Sequence, residues 1–286
     1  MMKNATTIKK FQFFDLEDRN EDPNPTSFRD VSPYQMFAVN QIIFLSAKIK
    51  KKVENSLLNE NLILKISKNR IIDEYMLYNK MIHYFQLRSF NQKHYFVTCG
   101  GDFKEQQVGP DKLFIFLTSI KLFEVSRLLD RNHQCTNRNI DDLMVKQINL
   151  LRNIKEGTLY QGRDFPRDVE SIQNIISFAI SNDFSHCAVG LDRGQIILIQ
   201  GSPNLIEVMD KNIKMRYITQ IDTELHITNL AFTKLTYNRE DMNVLYATTT
   251  KSIYFYKIYD KKDEVYELNG DCGAYSGCIA VDNEKL

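Results

Sequence analysis

The stretch Asn174 to Gln200, NIISFAISNDFSHCAVGLDRGQIILIQ, restricts the fold more than any other part of the chain, because its order of parts recurs downstream. Ile175, Ile176, Phe178 and Ile180 form a dense apolar run that ends at Ser181-Asn182-Asp183, residues whose side chains bond back to the backbone and favour a turn. Phe184 to Val189 is a second run. Gly190-Leu191-Asp192-Arg193-Gly194 follows, and Ile196 to Gln200 is a third run rich in β-branched side chains. Turns this frequent leave no room for a helix.

Ile227 to Phe232 restates the first strand, Val244 to Thr250 the second and Ser252 to Ile258 the third. Ala231 lies 52 residues after Ala179, and Ala280, in a further start at Gly277-Cys278-Ile279-Ala280-Val281, lies 49 residues after Ala231. A weaker copy runs through Tyr84 to Leu87, His94 to Asp102 and Lys112 to Leu117. Repeats of this length built from a few short strands are the sequence form of propeller blades. The fold class expected is therefore all-β, a β-propeller.

No Trp accompanies the 18 Phe and 14 Tyr, so the tryptophan-aspartate signature of the commonest propeller repeat is missing and the repeat is a divergent one. The 37 basic and 36 acidic residues leave a net charge of +1, which gives no electrostatic footprint for nucleic acid. The basic cluster Lys48 to Lys52, KIKKK, is read as a solvated loop. Cys99, Cys135, Cys187, Cys272 and Cys278 are odd in number and scattered, which points to a reducing compartment, with Cys99 and Cys187 as small core hydrophobes. The N-terminus shows no secretory signal. Tyr34 to Ala47, the longest apolar stretch, is broken by Asn40 and Gln41 and is too short to span a bilayer, so a soluble, cytoplasmic chain is expected.

Lys10 to Asp15 reads as an aromatic strand and Leu16 to Asp30 as an exposed loop. Met36 to Leu45 suits a strand pair and Asn61 to Ile66 another strand, with Lys65 and Lys68 marking its solvent side. From Ile71 to Phe90 the spacing fits strand and helix about equally, and strand is preferred because the upstream copy starts there. Residues 118–157 differ. Asp141-Asp142 ahead of Leu143, Gln147, Leu150 and Ile154 predicts an amphipathic helix ended by Gly157, and Ser119 to Leu129 a shorter one, together a helical insertion.

No site for chemistry emerges, and catalytic, cofactor-binding and metal-ligating residues are all expected to be none. Gly100-Gly101-Asp102 and Gly190 to Gly194 match neither phosphate-binding fingerprint and read as hairpin turns. His133-Gln134-Cys135 lacks a second ligand pair, and Cys272 and Cys278 are too widely spaced for a zinc knuckle. His186 and Cys187 are strand neighbours that point to opposite faces, and by the same geometry Ser185-His186 is not expected to form a Ser–His pair.

Particular residues carry a family resemblance. Lys10-Phe11-Gln12-Phe13-Phe14-Asp15 resembles the K/R-F-x-F-F-D start of the family of vacuolar protein sorting-associated protein eleven. Gly270 to Cys278 is similar to its H-G-C-G step into a next blade, Cys187 to Ile196 to its A-I-G-x-x-D-G-x-V strand pair, and Ile227 to Phe232 to its V-T-G-L-A-F. Phe165-Pro166 falls where the family shows F-P before a blade, and Thr118 to Gly157 has no counterpart there.

The resemblance implies a seven-bladed N-terminal propeller, followed in the family by an α-solenoid and a RING-type zinc domain. These 286 residues would be a partial propeller, without the RING and its ubiquitin-ligase type of activity. It implies a non-catalytic scaffold of the HOPS and CORVET tethering complexes, working in vesicle-mediated transport to endosome, vacuole and lysosome. Its partners would be the other class C subunits, with an indirect link to Rab GTPases and SNAREs, and its place the periphery of late endosome, vacuole and lysosome membranes. The competing readings are a propeller subunit of another coat or nuclear-pore-like scaffold, and a propeller enzyme, which needs carboxylates or histidines converging on a central funnel. An incomplete ring leaves open sheet edges, so the isolated chain is expected to be marginally stable or to aggregate. Light scattering with thermal melting checks this, and a monodisperse species with one cooperative melt would contradict it.

Overall fold

A computed structural model describes residues 28–53, 56–68, 70–108, 111–130, 133, 135, 137–150, 175–191, 194–218, 227–237, 240–249, 252–258 and 264–268. Among them the regular elements are strands and short 3-10 turns, and the strands form four antiparallel four-stranded sheets. The first sheet holds β1 (Phe28–Val39), β2 (Ile42–Val53), β3 (Ser56–Ser67) and β4 (Arg70–Tyr75). The second holds β5 (Met81–Phe90), β6 (Lys93–Val108), β7 (Asp111–Glu124) and β8 (Met144–Leu150). The third holds β9 (Ile175–Ile180), β10 (His186–Leu191), β11 (Ile196–Gln200) and β12 (Lys214–Ile218). The fourth holds β13 (Asn229–Tyr237), β14 (Glu240–Thr248), β15 (Ile253–Lys257) and β16 (Glu264–Leu268). Every sheet is a meander in which chain neighbours are spatial neighbours. The architecture is that of an incomplete β-propeller.

Two turns are set by the same dipeptide. Asn40-Gln41 joins β1 to β2 and Asn91-Gln92 joins β5 to β6, with φ of 49° and 64° at the first and 48° and 62° at the second. Positive φ at both central residues gives a turn whose twist matches the flanking strands, and asparagine tolerates that region better than most residues.

The sheets stack through shared faces. Phe44, Ile63 and Tyr75 of the first sheet pack with Phe85, Phe96 and Phe123 of the second, and Phe44 and Phe96 meet edge to face with ring centroids 4.9 Å apart. Val97, Cys99, Leu122 and Leu150 on the opposite face of the second sheet join Phe178, Cys187, Val189 and Ile197 of the third. Ala188 and Leu198, on the third sheet's other face, join Leu230, Leu245 and Tyr256 of the fourth. In β10 the side chains therefore alternate between two cores, which is why that strand is buried along its whole length.

The strand reading of residues 71–90 holds, as do the core positions of Cys99 and Cys187. The helical insertion over 118–157 does not. Ser119 to Glu124 completes β7, Ser126–Leu129 and Asp141–Leu143 are single 3-10 turns, and Met144–Leu150 is β8. Residues 151–157 lie outside the described ones. The spacing that suggested a helix is also an alternation: Ile148 and Leu150 point into the core while Val145 is exposed, and pairing with β7 selects the strand. Phe28 to Asp30, expected in a loop, belong to β1, and KIKKK lies within β2 rather than in a loop. The strand at Lys10 to Asp15, Phe165-Pro166 and the start at Gly277 fall outside the described residues.

Gly100-Gly101-Asp102 is no turn but the middle of β6. A Cβ on Gly100 would press on the Met81 carbonyl oxygen and come within 2.7 Å of the Tyr78 ring, so glycine lets the linker between the first two sheets lie against β6. Tyr78 Oη donates to the Ser119 carbonyl at 3.0 Å, and burial drives its phenol pKa well up. The Lys121 ammonium sits 4.3 Å above the Tyr78 ring, donates to the Leu77 carbonyl at 2.8 Å and pairs with Asp102 at 2.8 Å. Asp102 in turn accepts from the Asn79 N–H at 2.7 Å.

Removing one partner of such a buried pair strands the other charge. Asp102→Ala is expected to cost about 3–5 kcal/mol in denaturant unfolding, and Gly100→Ala about 1–3 kcal/mol through overpacking. Midpoints equal to wild type for both would contradict this account of the linker.

Candidate functional site

Polar side chains tie neighbouring sheets together. Lys65 of β3, expected on the solvent side, has a fully buried side chain. Its parity matches Phe44 and Ile63, so it enters the face shared with the second sheet, where Nζ donates to the carbonyl oxygens of Asp130 at 2.8 Å and His133 at 2.9 Å. The Asp73 carboxylate lies 3.8 Å from Nζ and accepts from Tyr75 Oη at 3.0 Å and the Cys135 N–H at 3.3 Å. Burial lowers the Lys65 pKa, with Asp73 acting in the opposite sense. Arg138 pairs with Glu74 at 2.5 Å and Glu60 at 3.5 Å, and Gln35 Oε1 accepts from the Phe85 N–H at 2.5 Å. Between the second and third sheets, Lys146 donates to the Val208 carbonyl at 2.7 Å and pairs with Asp210 at 2.8 Å.

The third and fourth sheets are tied at the turn before β10, and here the structure corrects the sequence reading. Ser185 Oγ stands 2.8 Å from His186 Nδ1, so the two do pair. Ser185 precedes the strand, and the alternation that separates His186 from Cys187 does not reach back to it. Asp183 Oδ1 accepts from Ser185 Oγ at 2.6 Å, the Ser185 N–H at 3.0 Å and Ser181 Oγ at 2.7 Å. Asn243 of β14 donates from Nδ2 to Ser185 Oγ at 2.9 Å and lies 3.0 Å from His186 Nδ1. Burial raises the Asp183 pKa, but the hydroxyl, backbone and amide donors outweigh it and hold the carboxyl below its ordinary value.

These residue types are those of acyl-transfer sites, yet their order differs. A nucleophilic serine passes its proton to histidine, and the carboxylate holds the histidine's other nitrogen. Here the carboxylate takes the serine's hydroxyl hydrogen, and Asn243 supplies a hydrogen to the serine oxygen. The cluster caps a turn and fastens β14 to it.

Other candidates are not brought together. Cys135 Sγ is 3.7 Å from His133 Nε2, both thiol and ring serve the loop that Lys65 holds, and burial raises the Cys135 pKa. Among the described residues no group of three or more His, Cys, Asp or Glu could hold a metal ion. Cys272 and Cys278 lie outside them. Gly194, at φ 65°, sits in the turn expected between β10 and β11, and Gly190 gives way to Ser177 and Ile227, whose nearest atoms would lie against any Cβ there. Asp142 pairs with Arg127 and Asp141 accepts from Asn139 Nδ2 at 3.0 Å; the two open a single 3-10 turn rather than the expected amphipathic helix. No helix among the described residues is long and apolar enough to cross a membrane.

A family model described as PEP5/VPS11 N-terminal matches residues 9–286. A search of curated proteins found no match.

The Asp183 bonds make a pH prediction. A carboxyl whose folded pKa lies below its unfolded value of about 3.9 stabilises the fold above that value and loses the contribution as pH falls through the folded pKa. Asp183→Asn is expected to cost about 1–3 kcal/mol at pH 7, a difference from wild type that shrinks in urea melts below about pH 3.9. A difference independent of pH would contradict the assignment.

Proposed function

The chain belongs to the PEP5/VPS11 N-terminal family, and from that premise we propose that it is a non-catalytic scaffold subunit of a HOPS/CORVET-type tethering complex. The family is one of vacuolar sorting and tethering subunits. The finer reading places the chain in vesicle tethering and fusion during protein transport to endosome, vacuole or lysosome. Residues 1–286 are assigned to the N-terminal propeller portion. Its partners are the other class C subunits, through protein–protein contacts, with Rab GTPases and SNAREs reached through the complex. Membrane association is peripheral.

The observation that carries this reading is the family match over residues 9–286, which runs through all four stacked sheets. The physical picture agrees with a scaffold. Lys65, Lys146 and Asn243 are engaged in holding one sheet to the next, and Asp183 with Ser185 in capping a turn. Function then resides on surfaces of a rigid body.

The purified chain mixed with a purified class C subunit at micromolar concentration is expected to co-elute in size-exclusion chromatography. Separate elution from every class C subunit tried would contradict the proposal.

A further inference from the structure

The first sheet buries both of its faces, and one of them meets the second sheet through Phe44 and Ile63. On the other, Leu45 stands opposite Leu64 and Ala47 opposite Leu62, with Ile49 and Ile66 toward the two ends. Among the described residues this cluster is made of first-sheet side chains alone. Yet Ala47, Leu62 and Leu64 are each 1% exposed and Ile49 is 0% exposed. Side chains stand roughly perpendicular to a sheet, so their tips are hidden only by something lying above them. Arg138 reaches Glu60 and Glu74 on the β4 side of this face, but its side chain is 48% exposed and too narrow to cover β2 as well. The burial requires a cover from outside the cluster.

That cover is uneven, and its unevenness points to a source. Burial is complete around Ile49, Ala47 and Leu62, weakens at Ile66 and half-buried Ile43, and is lost at Met36 and Ala38, the β1 partners of Leu45 and Ile43. The well-covered end is the one where Val31 stands opposite Ile49 and Phe28 opposite Lys51, which is where the chain enters β1. Residues ahead of Phe28 arrive there. Residues 16–27 span about 40 Å when extended, at roughly 3.3 Å each, against about 20 Å from Ile49 to Ile43 at the same rise. A segment upstream of residue 16 therefore reaches any part of the face.

The relief of the face favours aromatic rings. Ala47 is a small residue between Leu45 and Ile49 on β2, and a close-packed contact needs a large group opposite a small one. The third sheet follows the same rule: Ala179 and Ala188, directly opposite each other, share their core with Tyr254 and Tyr256 of the fourth. Lys10 to Asp15, KFQFFD, holds three phenylalanines in four residues, more densely than any other stretch outside the described residues. We propose that Lys10 to Asp15 lies extended across β2 and β3 of the first sheet, with Phe11 and Phe13 seated on Leu45, Ala47, Ile49, Leu62 and Leu64. In an extended segment Phe11 and Phe13 share one side at roughly 6.6 Å, the spacing at which Leu45, Ala47 and Ile49 follow one another. The start of the chain then occupies this face and withholds it from partners.

The test uses the full chain with the photo-crosslinker p-benzoylphenylalanine in place of Phe13, irradiated in dilute solution, the products mapped by mass spectrometry. Crosslinks are expected within residues 43–49 and 62–66, in products that migrate as monomer. The same label in place of Ile279 is expected to give none there. Phe11→Ser with Phe13→Ser is expected to raise the fluorescence of added anilinonaphthalene sulfonate several-fold by uncovering the face, whereas Met36→Ser, at a side chain already exposed, leaves it unchanged. Should the double variant not fold, the crosslink map decides alone, since it keeps an aromatic side chain at position 13. Crosslinks from position 13 that miss both strands overturn the proposal. So do crosslinks from position 279 to residues 43–49, which would make the C-terminal stretch the cover, and products that migrate as dimer, which would make it a second copy of the chain.

Discussion

A sheet that is apolar on both faces cannot stand against water on either, and this one constraint arranges the molecule. The third sheet shows it most clearly: Cys187 and Val189 enter the core shared with the second sheet, while Ala188 enters the core shared with the fourth. The second and third sheets are thus each covered by the one before and the one after in the chain. Chain order becomes spatial order, and the stacking proceeds from the first sheet to the fourth. The first sheet's remaining face, with Leu45, Ala47, Leu62 and Leu64 buried on it, carries the same apolar signature as the faces that meet another sheet.

Apolar faces alone leave neighbouring sheets able to slide, because burial is non-directional. The bonds of Lys65, Lys121, Lys146 and Asn243 are directional, and each reaches a backbone carbonyl or side chain fixed in the adjoining sheet or linker. Burying an ammonium is costly unless it is paired and hydrogen-bonded, so these lysines tolerate only the arrangement that satisfies them. Hydrophobic burial supplies the attraction between sheets, and the polar ties set their register. A body held in this way presents surfaces of fixed shape, which is what a tethering subunit requires.

The central strands were legible in the sequence because they alternate in two cores and end at turn residues, as Phe178 to Ile180 and Cys187 to Val189 do. The outer strands were not. β12 (KMRYI) and β16 (EVYEL) carry charge, and β8 offered a helical spacing that only its pairing with β7 overrules. The first sheet betrays itself as a copy only through its turn, since Asn40-Gln41 and Asn91-Gln92 lie 51 residues apart, between the 49 and 52 residues of the later offsets. The charge of Lys65 suggests a solvent-facing position, and only its parity with Phe44 and Ile63 marks it as buried. The Ser185 and His186 pair is hidden because strand alternation governs side-chain direction only from His186, where β10 begins.

Face-to-face stacking of consecutive sheets is tested most directly across the first interface, by a double-mutant cycle in which Phe44→Leu and Phe96→Leu are measured singly and together by equilibrium denaturation. Residues that meet edge to face 4.9 Å apart are expected to show a coupling energy of about 0.5–1.5 kcal/mol. Additivity to within about 0.3 kcal/mol would mean that the two rings do not touch, and with them the stacked arrangement of the sheets would fail.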